Sequence, residues 1–152
     1  MTKSVFVYPV RPDALGTLHA DLSVLLARAG LQPSPQANST LWAALEIAAN
    51  IIEHAHAQTD PQDAFWVDVT CNEHCIEIVL RDLGIACDSE RLRQSNLPTD
   101  WRTHQRGGLG LPLAHRAVDH LTYTREDNVN VWRIVIKQGS GATDGSDAER
   151  KS

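Results

Sequence analysis

The sequence predicts an α+β fold, a two-layer sandwich in which a mixed, mainly antiparallel sheet is covered on one face by helices. Three observations predict it. Two pairs of alternating, β-rich segments, 65–71 with 74–81 and 121–125 with 129–137, are each joined by a short turn. Two longer segments carry apolar residues at three- and four-residue steps, the pattern of helices with one buried face. The 152 residues, 42% hydrophobic and 22% charged, suit one domain with one core.

In chain order, residues 4–10 alternate and are β-branched, a first strand punctuated by Pro9 and Pro12. A helix follows over 13–29, with Leu15, Leu18, Leu22, Leu25 and Leu26 facing the core, Asp13 placed to cap it and Gly30 placed to stop it. Residues 32–38 hold two prolines and read as a loop, so Ser39 or Thr40 is expected to cap the next helix. That helix runs to about residue 57 with Leu41, Leu45, Ala48, Ile52 and Ala55 as its buried stripe. The hairpin of 65–71 and 74–81 turns at Asn72-Glu73. Residues 88–106 are polar, carry Pro98 and four arginines, and show no period, which predicts a mobile surface segment. A third helix is expected over 111–119, with Pro112 in its first turn. Two strands around Glu126-Asp127-Asn128 close a domain of residues 1–138, and the Gly-, Ser- and charge-rich 139–152 is expected to be a disordered tail.

Composition bounds the function. A formal net charge of −5 offers no attractive field to nucleic acid or an anionic membrane, and no basic patch supplies a local one. No apolar run approaches the roughly 20 residues that span a bilayer, and no basic stretch followed by a long apolar one opens the chain. The expectation is a cytoplasmic protein with no direct nucleic-acid or membrane partner. Three cysteines, an odd count with no secretory signal, argue against a disulfide framework. Cys71-Asn72-Glu73-His74-Cys75 has metal-ligand residue types, but a closed zinc site wants four ligands at other spacings, and a hairpin explains the same residues with the thiols as small apolar strand side chains.

Three further patterns carry chemistry. Glu46 and Asn50 are four apart, so they share one helical face, offset from the leucine stripe. In Asp82-Leu83-Gly84 a carboxylate ends a strand and a glycine lets the backbone turn sharply toward a ligand. In Arg106-Gly107-Gly108-Leu109-Gly110-Leu111 a glycine cluster opens a helix, where free backbone donors and the dipole suit a phosphate. Each alone also fits a solvated helix face, a plain turn or a flexible joint. Together, once each and in this order, they have the layout of one nucleotide pocket.

The run Leu45-Glu46-Ile47-Ala48-Ala49-Asn50-Ile51-Ile52-Glu53-His54-Ala55 resembles the N box of the GHKL ATPases, and its Glu-x-x-x-Asn-x-x-Glu-His form is most similar to that of the bacterial anti-sigma-factor serine/threonine kinases. Asp82-Leu83-Gly84 resembles the start of the G1 box, and Gly107-Gly108-Leu109-Gly110-Leu111 the G2 box, over a similarity running from about residue 5 to 137. The resemblance implies a Bergerat-type ATP-binding fold with ATP or ADP and Mg2+ as cofactors. It implies that Asn50 holds the magnesium ion, that Glu46 is the general base toward the attacking hydroxyl, and that Asp82 accepts from the exocyclic amino group of adenine. Gly84 would let the backbone pass close to the base, and Gly107, Gly108, Leu109 and Gly110 would line the phosphates. Arg106, with Arg102 as the alternative, would neutralise the transferring phosphoryl group. His54 reads as a structural hydrogen-bonding residue.

The implied function is that of an anti-sigma factor regulatory kinase: a homodimer that binds a sigma factor and phosphorylates an anti-anti-sigma (STAS-type) antagonist. A sensor histidine kinase is disfavoured, because His56 opens no phosphoacceptor motif and paired dimerisation helices are lacking. Ala86 stands where the G1 box expects a second glycine, and a left-handed backbone angle there would cost about 1 kcal/mol or more. That departure leaves a second reading open, a catalytically silent nucleotide- or partner-binding module of the same fold.

Overall fold

The computed structural model describes residues 2–31, 34–55, 63–87, 114 and 116–137. Its elements are β1 (Thr2–Pro9), α1 (Ala14–Arg28), α2 (Pro35–Asn50), a π-helical turn (Ile51–Ala55), β2 (Ala64–Cys71), β3 (Cys75–Asp82), β4 (His120–Glu126) and β5 (Val129–Lys137). The strands form one sheet in the order β1-β2-β3-β5-β4. Every described pairing is antiparallel, so the sheet is not mixed among these strands.

Period-two alternation decides which face is buried. Phe65, Val67 and Val69 of β2, Ile76, Ile78 and Leu80 of β3, and Trp132, Ile134 and Ile136 of β5 are buried side by side, with Val67 opposite Leu80 and Ile78 opposite Ile134. Both helices lie on this face, α2 against β3 and β5, and α1 against α2 and β1. The other face is wetter. Val5 and Val7 are 59% and 58% exposed there, and the ion pairs Arg81–Asp68 (2.9 Å) and Arg133–Glu77 (2.7 Å) cross between strands.

The helix ends differ from expectation in informative ways. Asp13 does not cap α1: its backbone is already helical (φ −67°, ψ −15°), no side-chain cap bond forms, and the carboxylate lies 3.4 Å from Arg11 Nε instead. A capping residue needs an extended backbone to bring its side-chain oxygen onto the next turn's N–H groups, and the turn from Arg11 and Pro12 removes it. The other end is as read, with Gly30 at φ +77° in the left-handed region that glycine tolerates. Helix α2 begins earlier than Ser39 or Thr40. Ser34 is extended, its Oγ accepts from Ala37 N at 3.0 Å, and Pro35 takes the first turn, where its lack of an N–H costs nothing. Thr40 is inside the helix, its hydroxyl donating to the Gln36 carbonyl at 2.7 Å.

The buried face of α2 is Ala37, Leu41, Ala44, Ile47, Ala48 and Ile51, rotated part of a turn from the predicted stripe, so Leu45 and Ile52 are only partly buried. A helix packed against a sheet and a second helix buries a wider arc than a single stripe, and alanines at 37, 43, 44 and 48 let those neighbours approach closely.

Both hairpins form. Asn72 Oδ1 accepts from His74 N (2.7 Å) and Cys75 N (2.9 Å), so the first turn takes in His74 and β3 starts one residue later than predicted. Cys71 points into the core, where burial pushes its thiol up, while alternation sends Cys75 to the opposite face. The second turn is tighter than predicted, Asp127 (φ 51°) and Asn128 (φ 66°) alone, with Glu126 paired to Val129 in the ladder. Two left-handed residues make a turn whose twist matches the strands, and Asp and Asn tolerate it. Of the predicted third helix, Ala114, Arg116 and Ala117 are helical, and Ala114 is fully buried. The polar segment 88–106, the glycines at 107, 108 and 110 and the tail 139–152 lie outside the described residues.

Candidate functional site

Asp82 ends β3 on the buried face, opposite Asn130 of β5, and is itself 0% exposed. A carboxylate taken out of water needs hydrogen-bond donors. Its Oδ1 receives two, Gly84 N at 2.8 Å, which closes the sharp turn after the strand, and Asn130 Nδ2 at 3.0 Å. The following residues run along the end of the sheet with Leu83 and Ile85 exposed at 61% and 67%. Among the described residues positive φ occurs at Gly30, Asp127 and Asn128, so Ala86 has no left-handed angle and the strain expected from its β-carbon does not arise.

Side chains of the β4–β5 hairpin hold this loop. Asn130 Nδ2 also donates to Ile85 O at 2.8 Å and, more weakly, to Gly84 O at 3.3 Å. Arg125 Nη1 donates to Gly84 O (3.0 Å) and Asn130 Oδ1 (2.8 Å). The Tyr123 hydroxyl donates to Asn130 Oδ1 and accepts from Cys87 N at 2.9 Å. These three residues went unmarked in sequence. The signal was there for one of them: Asn130 interrupts the inward series Asn130, Trp132, Ile134, Ile136 at a position where an apolar residue is the rule.

The second group sits on α2, across the helix–sheet interface from the strand that carries Asp82. The helix is regular through Asn50, so Glu46 and Asn50 share a face as their spacing implies, but they differ in exposure. Asn50 is buried at 8%, and Glu46 is half-buried. Burial, and after it the negative charge of Glu53, hold the Glu46 carboxyl above the usual carboxylate range. Immediately after Asn50 the helix widens into the π-helical turn, a local irregularity that often accompanies function and that the sequence pattern did not reveal. Arg102, Arg106 and the residues Gly107, Gly108, Leu109 and Gly110 lie outside the described residues. Among those described, no cluster of three or more His, Cys, Asp or Glu has metal-site geometry.

Residues 8–136 match the histidine kinase-like ATPase domain. The chain belongs to that family. As a histidine kinase-like ATPase domain, the match runs from Tyr8 in β1 to Ile136 in β5, taking in both helices, Asp82 and the β4–β5 hairpin, and it implies nucleotide binding. Among solved structures, the RsbU and RsbW domains of Rv1364c from Mycobacterium tuberculosis superpose with a TM-score of 0.64 at 13% identity, over 91% of this chain and 34% of that one. That likeness is one of fold, and this domain spans about a third of the chain it matches. The histidine kinase domain of the Erythrobacter litoralis EL346 blue-light activated histidine kinase aligns with a TM-score of 0.47 at 13% identity, over 84% of this chain and 60% of that one. No curated protein matches the sequence. No helix among the described residues is long and apolar enough to cross a membrane.

Proposed function

We propose that this domain is a serine/threonine protein kinase using Mg-ATP, a cytoplasmic homodimer that binds a sigma factor and phosphorylates an anti-anti-sigma (STAS-type) antagonist. The observation that carries the reading is the buried Asp82 at the strand end, held by two donors, facing the layer whose helix α2 bears the Glu46 and Asn50 pair. A fixed, desolvated carboxylate suits the exocyclic amino group of adenine, and the exposed Leu83 and Ile85 beside it offer apolar surface to a base.

Asn50 presents a neutral, hard oxygen donor at the end of α2, of the kind magnesium accepts together with phosphate oxygens and waters. When bound, Mg-ATP supplies the phosphoryl group and the neutralisation of its charge. Glu46, whose carboxyl is held above the usual range by burial and by Glu53 and whose ionised form is therefore the stronger base, takes the proton from the attacking serine hydroxyl. Arg106 and the glycines 107, 108 and 110 are assigned to the phosphates on the motif alone.

The test is incubation of the protein, its captured antagonist and γ-labelled ATP, with the product treated in acid. Serine phosphate survives acid and histidine phosphate does not. Acid-stable label on the antagonist is expected, falling about a hundredfold or more in Glu46→Gln while ADP binding persists. Acid-labile label would overturn serine specificity. Partner capture with nucleotide binding but no label would leave the silent module.

A further inference from the structure

We infer that Asn130, braced by Tyr123 and Arg125, is a positioning residue that sets base selectivity by fixing the Asp82 carboxylate and the loop after it. This rests on the nucleotide-site reading of Asp82. An asparagine side chain offers two N–H donors and an oxygen with two lone pairs. Here all of them are used within the protein. Nδ2 serves Asp82 Oδ1 at 3.0 Å and Ile85 O at 2.8 Å, with Gly84 O at 3.3 Å, and Oδ1 accepts from Tyr123 and Arg125. The orientation is fixed by chemistry: turning the carboxamide over would set its oxygen against a carboxylate and two carbonyls. With both Nδ2 hydrogens and Oδ1 engaged within the protein, Asn130 works through Asp82 rather than by touching a ligand.

The hairpin determines this arrangement. Its two-residue turn sets Arg125 directly opposite Asn130, and Tyr123, tilted against Trp132 with ring centroids 4.7 Å apart, one pleat further along. From there Arg125 reaches Gly84 O and Tyr123 reaches Cys87 N, so the loop is anchored at Gly84, Ile85 and Cys87 by side chains. Adenine presents an amino donor at its sixth position and guanine a carbonyl, so a carboxylate pinned in one orientation favours the first and repels the second. Released, Asp82 can rotate and the loop can relax, and the distinction weakens.

The experiment is calorimetric titration of ADP and GDP into wild type, Asn130→Ala, Tyr123→Phe and Arg125→Met, with amide exchange measured on the nucleotide-free proteins. Wild type should prefer ADP. The ADP-to-GDP affinity ratio should fall about tenfold or more in Asn130→Ala and severalfold in the other two, because a bond to a charged group is lost or loosened. Exchange at residues 84–87 should quicken in all three while β2 stays protected. Equal loss for both nucleotides, or an unchanged ratio, would overturn the inference while leaving the site reading intact. A wild type that binds neither nucleotide overturns both. Should Asn130→Ala fail to fold, Tyr123→Phe and Arg125→Met carry the same ratio test at more exposed positions.

Discussion

Glu46 and Asn50 are one helical turn apart yet meet different surroundings, and the difference has a measurable consequence. Burial and Glu53 raise the folded-state pKa of Glu46 above its unfolded value. A carboxyl raised in this way contributes stability that is present below the unfolded value, near pH 4, and is lost as pH rises through the folded one. Glu46→Gln cannot titrate. Its melting temperature should therefore match wild type near pH 4 and exceed it by about 1–3 °C at pH 8, a small effect because the group is only half-buried. Calorimetry of both proteins across that range checks this, and a constant offset would remove burial as the cause. At this scale the sequence marked Asp82, Glu46 and Asn50, because their spacings repeat a known pattern. It could not mark Tyr123 or Arg125, and for Asn130 it offered only a polar residue in an inward apolar series, because what these side chains touch depends on which strand lies beside β3, a non-local fact.

Element ends show where local reading succeeds and where it is overridden. Gly30 closed α1 as read, since a left-handed stop is a property of one residue. The N-termini did not follow. Asp13 has the residue type of a cap without its backbone, and Ser34 lies between two prolines that look like a loop until Pro35 is placed at the first helical position. Ser34→Ala should lower stability by about 1 kcal/mol, whereas Asp13→Ala, which removes only an exposed pair with Arg11, should change it by less than about 0.5 kcal/mol. Urea unfolding of the two variants distinguishes them. A larger loss at Asp13 than at Ser34 would reverse the assignment. The stripe on α2 was misplaced for a related reason: periodicity gives the face that a helix buries against one neighbour, and this helix has two.

For the whole molecule, the two-layer class was legible because two hairpins and two amphipathic helices admit few other packings, but the strand order β1-β2-β3-β5-β4 was not, since nothing local specifies that β5 rather than β4 lies against β3. That order puts Asp82 beside Asn130 on two strands that both pack against α2, so the domain should respond to nucleotide as one unit. Ligand at a hundred times its dissociation constant stabilises the folded state by about 2.7 kcal/mol, which for a domain of this size is a rise of about 5–11 °C. Mg-ADP should give such a rise in wild type and a smaller one without magnesium. Asp82→Asn should lose most of the shift, because it replaces the acceptor for adenine with a group that also donates, and its own melting point should fall with the disturbed Asn130 network. Asn50→Ala should keep the magnesium-free shift and lose the magnesium increment, while the alanines and isoleucines on the buried face keep α2 folded. An undiminished magnesium increment in Asn50→Ala would take the metal from that residue, and no shift in wild type at millimolar ADP would take the nucleotide from the site.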